Sequence, residues 1–143
     1  MHHRAIYSAS SSHGPADDLQ AAWAPLYDAH HVDLVLNGHD HDYERTWPIR
    51  AGQVCPSTAV GTVYIVAGAA GASLYNHGLA YWTAVSESAQ HVIVLTARRE
   101  GTKKYSPPRG VTKRGSSGRR RRTGSAGIVN VLLPGPAMGS VSW

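Results

Sequence analysis

Cysteine is almost absent. Cys55 stands alone, which excludes an internal disulfide and any zinc site built on paired cysteines. Long hydrophobic runs are missing too, with nothing approaching the roughly 20 residues that a membrane-spanning helix needs, so no membrane association is expected. The start, Met1-His2-His3-Arg4, has no apolar core of a secretory signal, and localisation is left open. The glycine-rich run Gly68-Ala69-Ala70-Gly71-Ala72 is followed by no Lys-Ser or Lys-Thr, which excludes a Walker-type phosphate cradle. Positive charge is scarce over the first two thirds of the chain. Residues 1–97 hold three Arg against eight Asp or Glu, a balance of −5, whereas residues 98–143 hold eleven Lys or Arg against Glu100 alone, a balance of +10. The net +5 of all 143 residues averages two unlike segments.

Histidine, by contrast, is plentiful and placed for chemistry. The apolar run Val32-Asp33-Leu34-Val35-Leu36 has the length and β-branched content of a buried strand. Directly after it comes Asn37-Gly38-His39-Asp40-His41-Asp42-Tyr43-Glu44-Arg45-Thr46. On extended backbone His39 and His41 share one face with Cα atoms about 6.6 Å apart. Two imidazoles so placed can converge on one metal ion or each hold one of an adjacent pair. Gly38 permits the sharp turn that brings them there, and the carboxyl end of a buried strand is where α/β proteins build their sites.

The string from Gly38 to Thr46 resembles the last metal-binding motif of the calcineurin-like metallophosphoesterases, and its Tyr43-Glu44-Arg45 extension resembles the purple acid phosphatase branch. Met1-His2-His3-Arg4-Ala5-Ile6-Tyr7-Ser8 resembles the preceding metal motif of that family. His2 matches the liganding position best. His3 stands beside it, and Arg4 occupies the place where the family has Pro, so the register between the two histidines stays open. A Met-His-His start also matches the remnant of a purification tag. His13, eleven residues after His2, resembles the histidine that purple acid phosphatases set over the substrate phosphate; its ordinary pKa near 6.5 suits proton donation in mild acid. Residues 61–72 resemble the family segment that follows the metal motif.

The remaining pattern is that of an α/β protein. Residues 8–14 read as a polar loop. Pro15 is suited to open a helix with Asp17 and Asp18 in its first turn. Leu19, Trp23 and Leu26 are expected to face the core, with a kink or restart at Pro25. His30 and His31 would sit at that helix's C-terminus, and Asp28-Ala29-His30 is a chance Asp-x-His. Residues 47–57 read as a loop, residues 61–67, 81–85 and 91–97 as strands, and Asn76-His77-Gly78 as a turn. From Arg98 to Arg122 eleven basic residues alternate with Gly, Ser and Pro. That composition buries too little surface to offset ordering entropy, so a disordered tail is expected, able to touch RNA, DNA or another anion weakly. Residues 128–133 are a short apolar run that can pair as a strand.

The resemblance thus implies residues 1–97 as the C-terminal half of a metallophosphoesterase catalytic domain, part of an αββα sandwich, with 98–143 as a basic tail. It implies hydrolysis of phosphate monoesters by a hydroxide activated between two metal ions, Fe, Zn or Mn. By position His2 and His39 would bind one ion, His41 the other, and His13 would face the substrate. Asp40 would point away from the metals, while Tyr43, Glu44 and Arg45 would hold the loop by hydrogen bonds. The family's further carboxylate and Asn ligands come from Asp-x-His, Gly-Asp-x-x-(Asp/Tyr) and Gly-Asn-His-(Asp/Glu) motifs. The chain contains no Gly-Asp and no Gly-Asn-His, and a fragment inactive by itself is the expectation. The competing expectations are a non-catalytic metal-binding protein and a basic-tailed nucleic-acid or anion binder.

Overall fold

The structure, a computed structural model, describes residues 1–96 and the backbone of residues 128–132. The expected disordered segment 98–122 lies outside the described residues. Helix α1 spans Asp17–His30. Strands β1 (Leu34–Asn37), β2 (Tyr43–Thr46), β3 (Ile49–Arg50), β4 (Gln53–Val54), β5 (Val63–Ala67), β6 (Thr83–Glu87), β7 (Val92–Thr96) and β8 (Ile128–Leu132) follow.

The main sheet has the order β1-β5-β2-β6. β1 runs parallel to β5, pairing Leu34 with Val63 and Asn37 with Val66. β2 runs antiparallel to both of its neighbours. The chain therefore reverses direction between Asn37 and Tyr43, and the histidine motif is that reversal. Residues 47–57, expected as loop, contain the short β3–β4 hairpin, with Ile49 opposite Val54. β6 begins two residues later than expected, because Thr83 accepts Ala80 N–H on its hydroxyl and closes a turn before pairing with Thr46. The backbone of 128–132 pairs antiparallel with β7.

Side-chain alternation sends the two faces of the sheet into two cores. On one face Val35 and Tyr64 join Ile6, Tyr7 and Ile49, covered by Leu19, Tyr27, Val32 and Trp82. On the other, Tyr43, Val63 and Ile65 pack with Leu34, Leu36, Val85 and Ile93 of β7. The layers are thus helix, mixed sheet and second short sheet.

α1 continues through Pro25 as one element, and its inward face differs from the expected one. Trp23 and Leu26 are 46% and 51% exposed, while Leu19 and Tyr27 pack inward. At 100° per residue the buried line lies roughly a quarter-turn from the Leu19–Trp23–Leu26 line. Polar tethers account for the rotation. Gln20 Nε2 donates to Ile6 O at 3.2 Å, and Ala51 N–H donates to Asp28 Oδ2 at 2.7 Å. The expected polar loop at 8–14 is likewise partly interior, with Ser8 and Ser10 buried.

Candidate metal centre

The reversal after β1 depends on two backbone features. His39 has φ 72°, a left-handed conformation that non-glycine residues adopt rarely and at some cost. It is held there from both sides. Gly38 N–H donates to His3 O at 3.0 Å, and Asp40 N–H donates to Gly38 O at 2.9 Å. Opposite, Gly68 at the exit of β5 lies so close that a Cβ on it would collide with Asp40 O and sit 3.2 Å from His39 N. The small-residue exit of β5 is therefore the floor on which the histidine loop rests.

Above that floor, rings from three segments meet. His39 Nδ1 and His3 Nε2 are 3.0 Å apart. The His13 ring stacks on His39 with centroids 4.3 Å apart. Tyr75 meets His13 edge-on at 5.5 Å and stacks on His41 at 4.2 Å. His41 Nδ1 lies 2.9 Å from Ser73 O; a carbonyl can only accept, so Nδ1 donates, and Nε2 is the nitrogen left to ligate a metal. Burial, then the neighbouring His13, lowers the His39 pKa, with His3 adding to the effect. Both influences favour the neutral imidazole, the form that ligates a metal.

The structure separates His2 from this group. Asn37 Nδ2 lies 3.1 Å from His2 Nδ1, and the His2 ring faces Trp23 and Tyr27 at 6.2 and 6.4 Å. Successive residues beside β1 point to opposite sides, so His2 goes to the helix and His3 to the loop. Of the residues expected from sequence, His39, His41 and His13 are brought together; the N-terminal imidazole that reaches His39 is His3's. His91, buried before β7, sends Nδ1 to Ala89 O at 2.9 Å and its ring to Tyr43.

Beneath the histidines lies a buried acidic row. Asp40, Asp42 and Glu44 are all at most 1% exposed. Glu44 is fully engaged. Its Oε2 accepts Ala9 N–H at 2.6 Å, and its Oε1 accepts Trp82 Nε1–H at 3.1 Å and Thr83 Oγ1–H at 2.8 Å. Glu44 thus holds the motif in place as expected of it. The carboxylate oxygens of Asp40 and Asp42 find no hydrogen-bond partner among the described residues. Burial, reinforced by the Asp40 and Glu44 carboxylates, pushes Asp42 up to about 7.

How far these donors suit metal ions follows from distances. Two nitrogens on one tetrahedral zinc stand about 3.3 Å apart, close to the 3.0 Å between His3 and His39, so a slight opening of that pair admits one ion. A third donor is not in place: among the described residues no group of three or more His, Cys, Asp or Glu is arranged to hold a metal. The described residues alone do not make a dinuclear centre.

No family model matches the chain. Uncharacterized proteins from two strains of Mycobacterium tuberculosis are each 33% identical to it over 96 residues, which is 57% of this chain and 18% of theirs. The chain therefore spans about a fifth of the length of the curated relatives it matches. A purple acid phosphatase from yellow lupin (Lupinus luteus) seeds superimposes with a TM-score of 0.56 and 27% identity, over 66% of this chain and 19% of that one. The fold is accordingly of the metallophosphoesterase kind: an α/β arrangement with a mixed sheet and one helix, forming part of a phosphoesterase sandwich. Among the described residues no helix is long and apolar enough to cross a membrane.

Tyr75 and Ser73 escaped sequence reasoning, whereas the small-residue exit that holds Gly68 was read as a place of close packing without its partner, Asp40. Each meets the site from a separation of roughly 30 residues or more along the chain, and small or turn-forming residues in a polar stretch carry no local signal of that partnership.

Proposed function

We propose that this chain is the imidazole-bearing part of a phosphomonoesterase site and that it lacks, by itself, the carboxylates needed to turn substrate over. The observation that carries the reading is the convergence of His3, His13 and His39, with His41 joined through Tyr75. It is seconded by the fold shared with a purple acid phosphatase. Two metal ions, Fe, Zn or Mn, when bound would supply Lewis-acid charge to the phosphoryl oxygens. His3, His39 and His41 are the candidate donors, His3 taking the place that sequence position gives to His2. His13 is exposed and its ring stacks on that of His39. Protonated, it would give its proton to the alkoxide oxygen as the phosphorus–oxygen bond breaks. A carboxylate between two adjacent dications is what offsets their repulsion, and Asp40 and Asp42 lie buried beneath the loop instead.

The experiment is metal uptake with an aryl phosphate assay on the purified chain. Zinc should bind, with affinity at least about tenfold weaker in His39→Ala and His3→Ala, and hydrolysis should stay at the level of free metal. Affinity unchanged by both substitutions would remove the imidazole pocket. Turnover abolished by His39→Ala would show that the chain is an enzyme without further carboxylates.

A further inference from the structure

We infer that Glu44 is the positioning residue of the histidine cluster: its carboxylate fixes where His13 stands over His39 by holding the loop that carries His13 to the start of β6. The use made of that arrangement rests on the phosphoesterase reading; the arrangement itself does not. His13 makes ring contacts with His39 and Tyr75 and no side-chain hydrogen bond among the described residues. Its position is therefore set by its backbone. That backbone is stiffened internally, since Ser10 N–H donates to Ser8 Oγ at 3.2 Å and Ser12 N–H to Ser10 Oγ at 3.4 Å. It is anchored externally at Ser11, whose N–H donates to Asn76 O at 3.1 Å, and at Ala9, whose N–H donates to Glu44 Oε2 at 2.6 Å. The second anchor is the only charged one, and a charge-assisted hydrogen bond in a dry setting is the stronger kind.

Glu44 suits this duty because it belongs to β2, three residues after His41, and so moves with the motif. Its other oxygen is clamped by the Trp82 indole and the Thr83 hydroxyl. One side chain thereby ties together the motif strand, the entry to β6 and the His13 loop. Shape reinforces the tie: a Cβ on Gly78 would collide with Ala9 O, so the loop sits in a groove that only glycine leaves open. Three donors face two carboxylate oxygens. In Glu44→Gln the amide orientation that keeps both Oε1 donors, Trp82 Nε1–H and Thr83 Oγ1–H, turns its nitrogen towards Ala9 N–H, and the Ala9 link is lost.

The test is NMR of the whole chain without metal, with labelled histidine and tyrosine, reading ring-proton cross-peaks. The wild type should show His13–His39, His3–His39 and His41–Tyr75 contacts. Glu44→Gln should lose His13–His39 and keep the other two. Should Glu44→Gln fail to fold, Thr83→Val, which removes one of the three donors, should weaken the same cross-peak selectively. Val66→Ala, a buried truncation directly across from Glu44, separates positioning from general destabilisation: it should lower the melting temperature and leave the His13–His39 contact intact. Retention of that contact in Glu44→Gln, or its loss in a folded Val66→Ala, overturns the inference. Failure of the phosphoesterase reading looks different, namely an intact wild-type pattern in a chain that binds no zinc.

Discussion

Asp42 has a carboxyl that burial and the flanking Asp40 and Glu44 carboxylates raise to about 7, from 3.8. The unfolded chain releases this proton near pH 4, whereas the folded chain keeps it to about pH 7. Between those values the folded state binds more protons, so stability falls as pH rises, by at most about 1.4 kcal/mol per pH unit. Below that window the contribution is fully present; above it the penalty is constant. Asp42→Asn should therefore stabilise the chain at pH 8, change little below pH 4, and flatten the slope between them in denaturant titrations. An unaltered slope would mean that the buried carboxyl is solvated. A second prediction concerns Gly68. Its hydrogen faces Asp40 O where a methyl group has no room, so Gly68→Ala should cost about 1–3 kcal/mol, as overpacking does, and weaken zinc affinity together with stability. Gly71, with open space around its Cβ direction, has φ 82°; alanine there should destabilise through backbone strain alone and leave zinc affinity unchanged. At this scale His39 and His41 were legible through the motif the chain resembles and not through strand-period spacing, since His39 is left-handed at φ 72° and lies in the chain reversal between β1 and β2. Tyr75 was not, and of Gly68 only the close packing and not the partner was, because those partnerships exist only once β5 and the following loop fold back over the motif.

The elements show the same division. β1 and β5 could be read from apolar runs bounded by turn residues. β2 could not, because its residues Tyr43, Glu44, Arg45 and Thr46 carry polarity that a buried strand seldom has, and only the donors from residues 9, 82 and 83 make Glu44 tolerable there. α1 was legible in extent but not in rotation, since periodicity counts apolar side chains and Gln20 and Asp28 set the angle. The sheet order carries its own prediction. β1 pairs with β5 on one side only, and beyond the links from His2 N–H to Leu36 O and Gly38 N–H to His3 O its outer edge meets no described strand. The part of this edge left open, at Leu34, is a template for another strand. The chain should self-associate with concentration, and Leu34→Lys should shift sedimentation towards monomer. Association unchanged by that substitution would put the contact elsewhere.

Over the whole molecule, charge is sorted by position: −5 in residues 1–97 and +10 in residues 98–143. The acidic part contains the three buried carboxyl side chains Asp40, Asp42 and Glu44, and a polyanion would meet a body that repels it. Any polynucleotide affinity must then reside in residues 98–122. Tyr105 is the single aromatic residue of that stretch, so stacking adds little and the affinity would come from phosphate contacts released by salt. If about half of the basic side chains meet phosphates, the logarithm of affinity on duplex DNA should fall with the logarithm of salt at a slope near −5. Deleting 98–122 should abolish binding at low salt while leaving the melting temperature and zinc uptake of the remainder unchanged. Binding that survives the deletion would place the contact on the folded body, against its own charge. A zinc affinity that drops with the deletion would instead make the basic segment part of the proposed metal site, and the proposed division into an acidic metal-binding part and a basic anion-binding part would have to be abandoned.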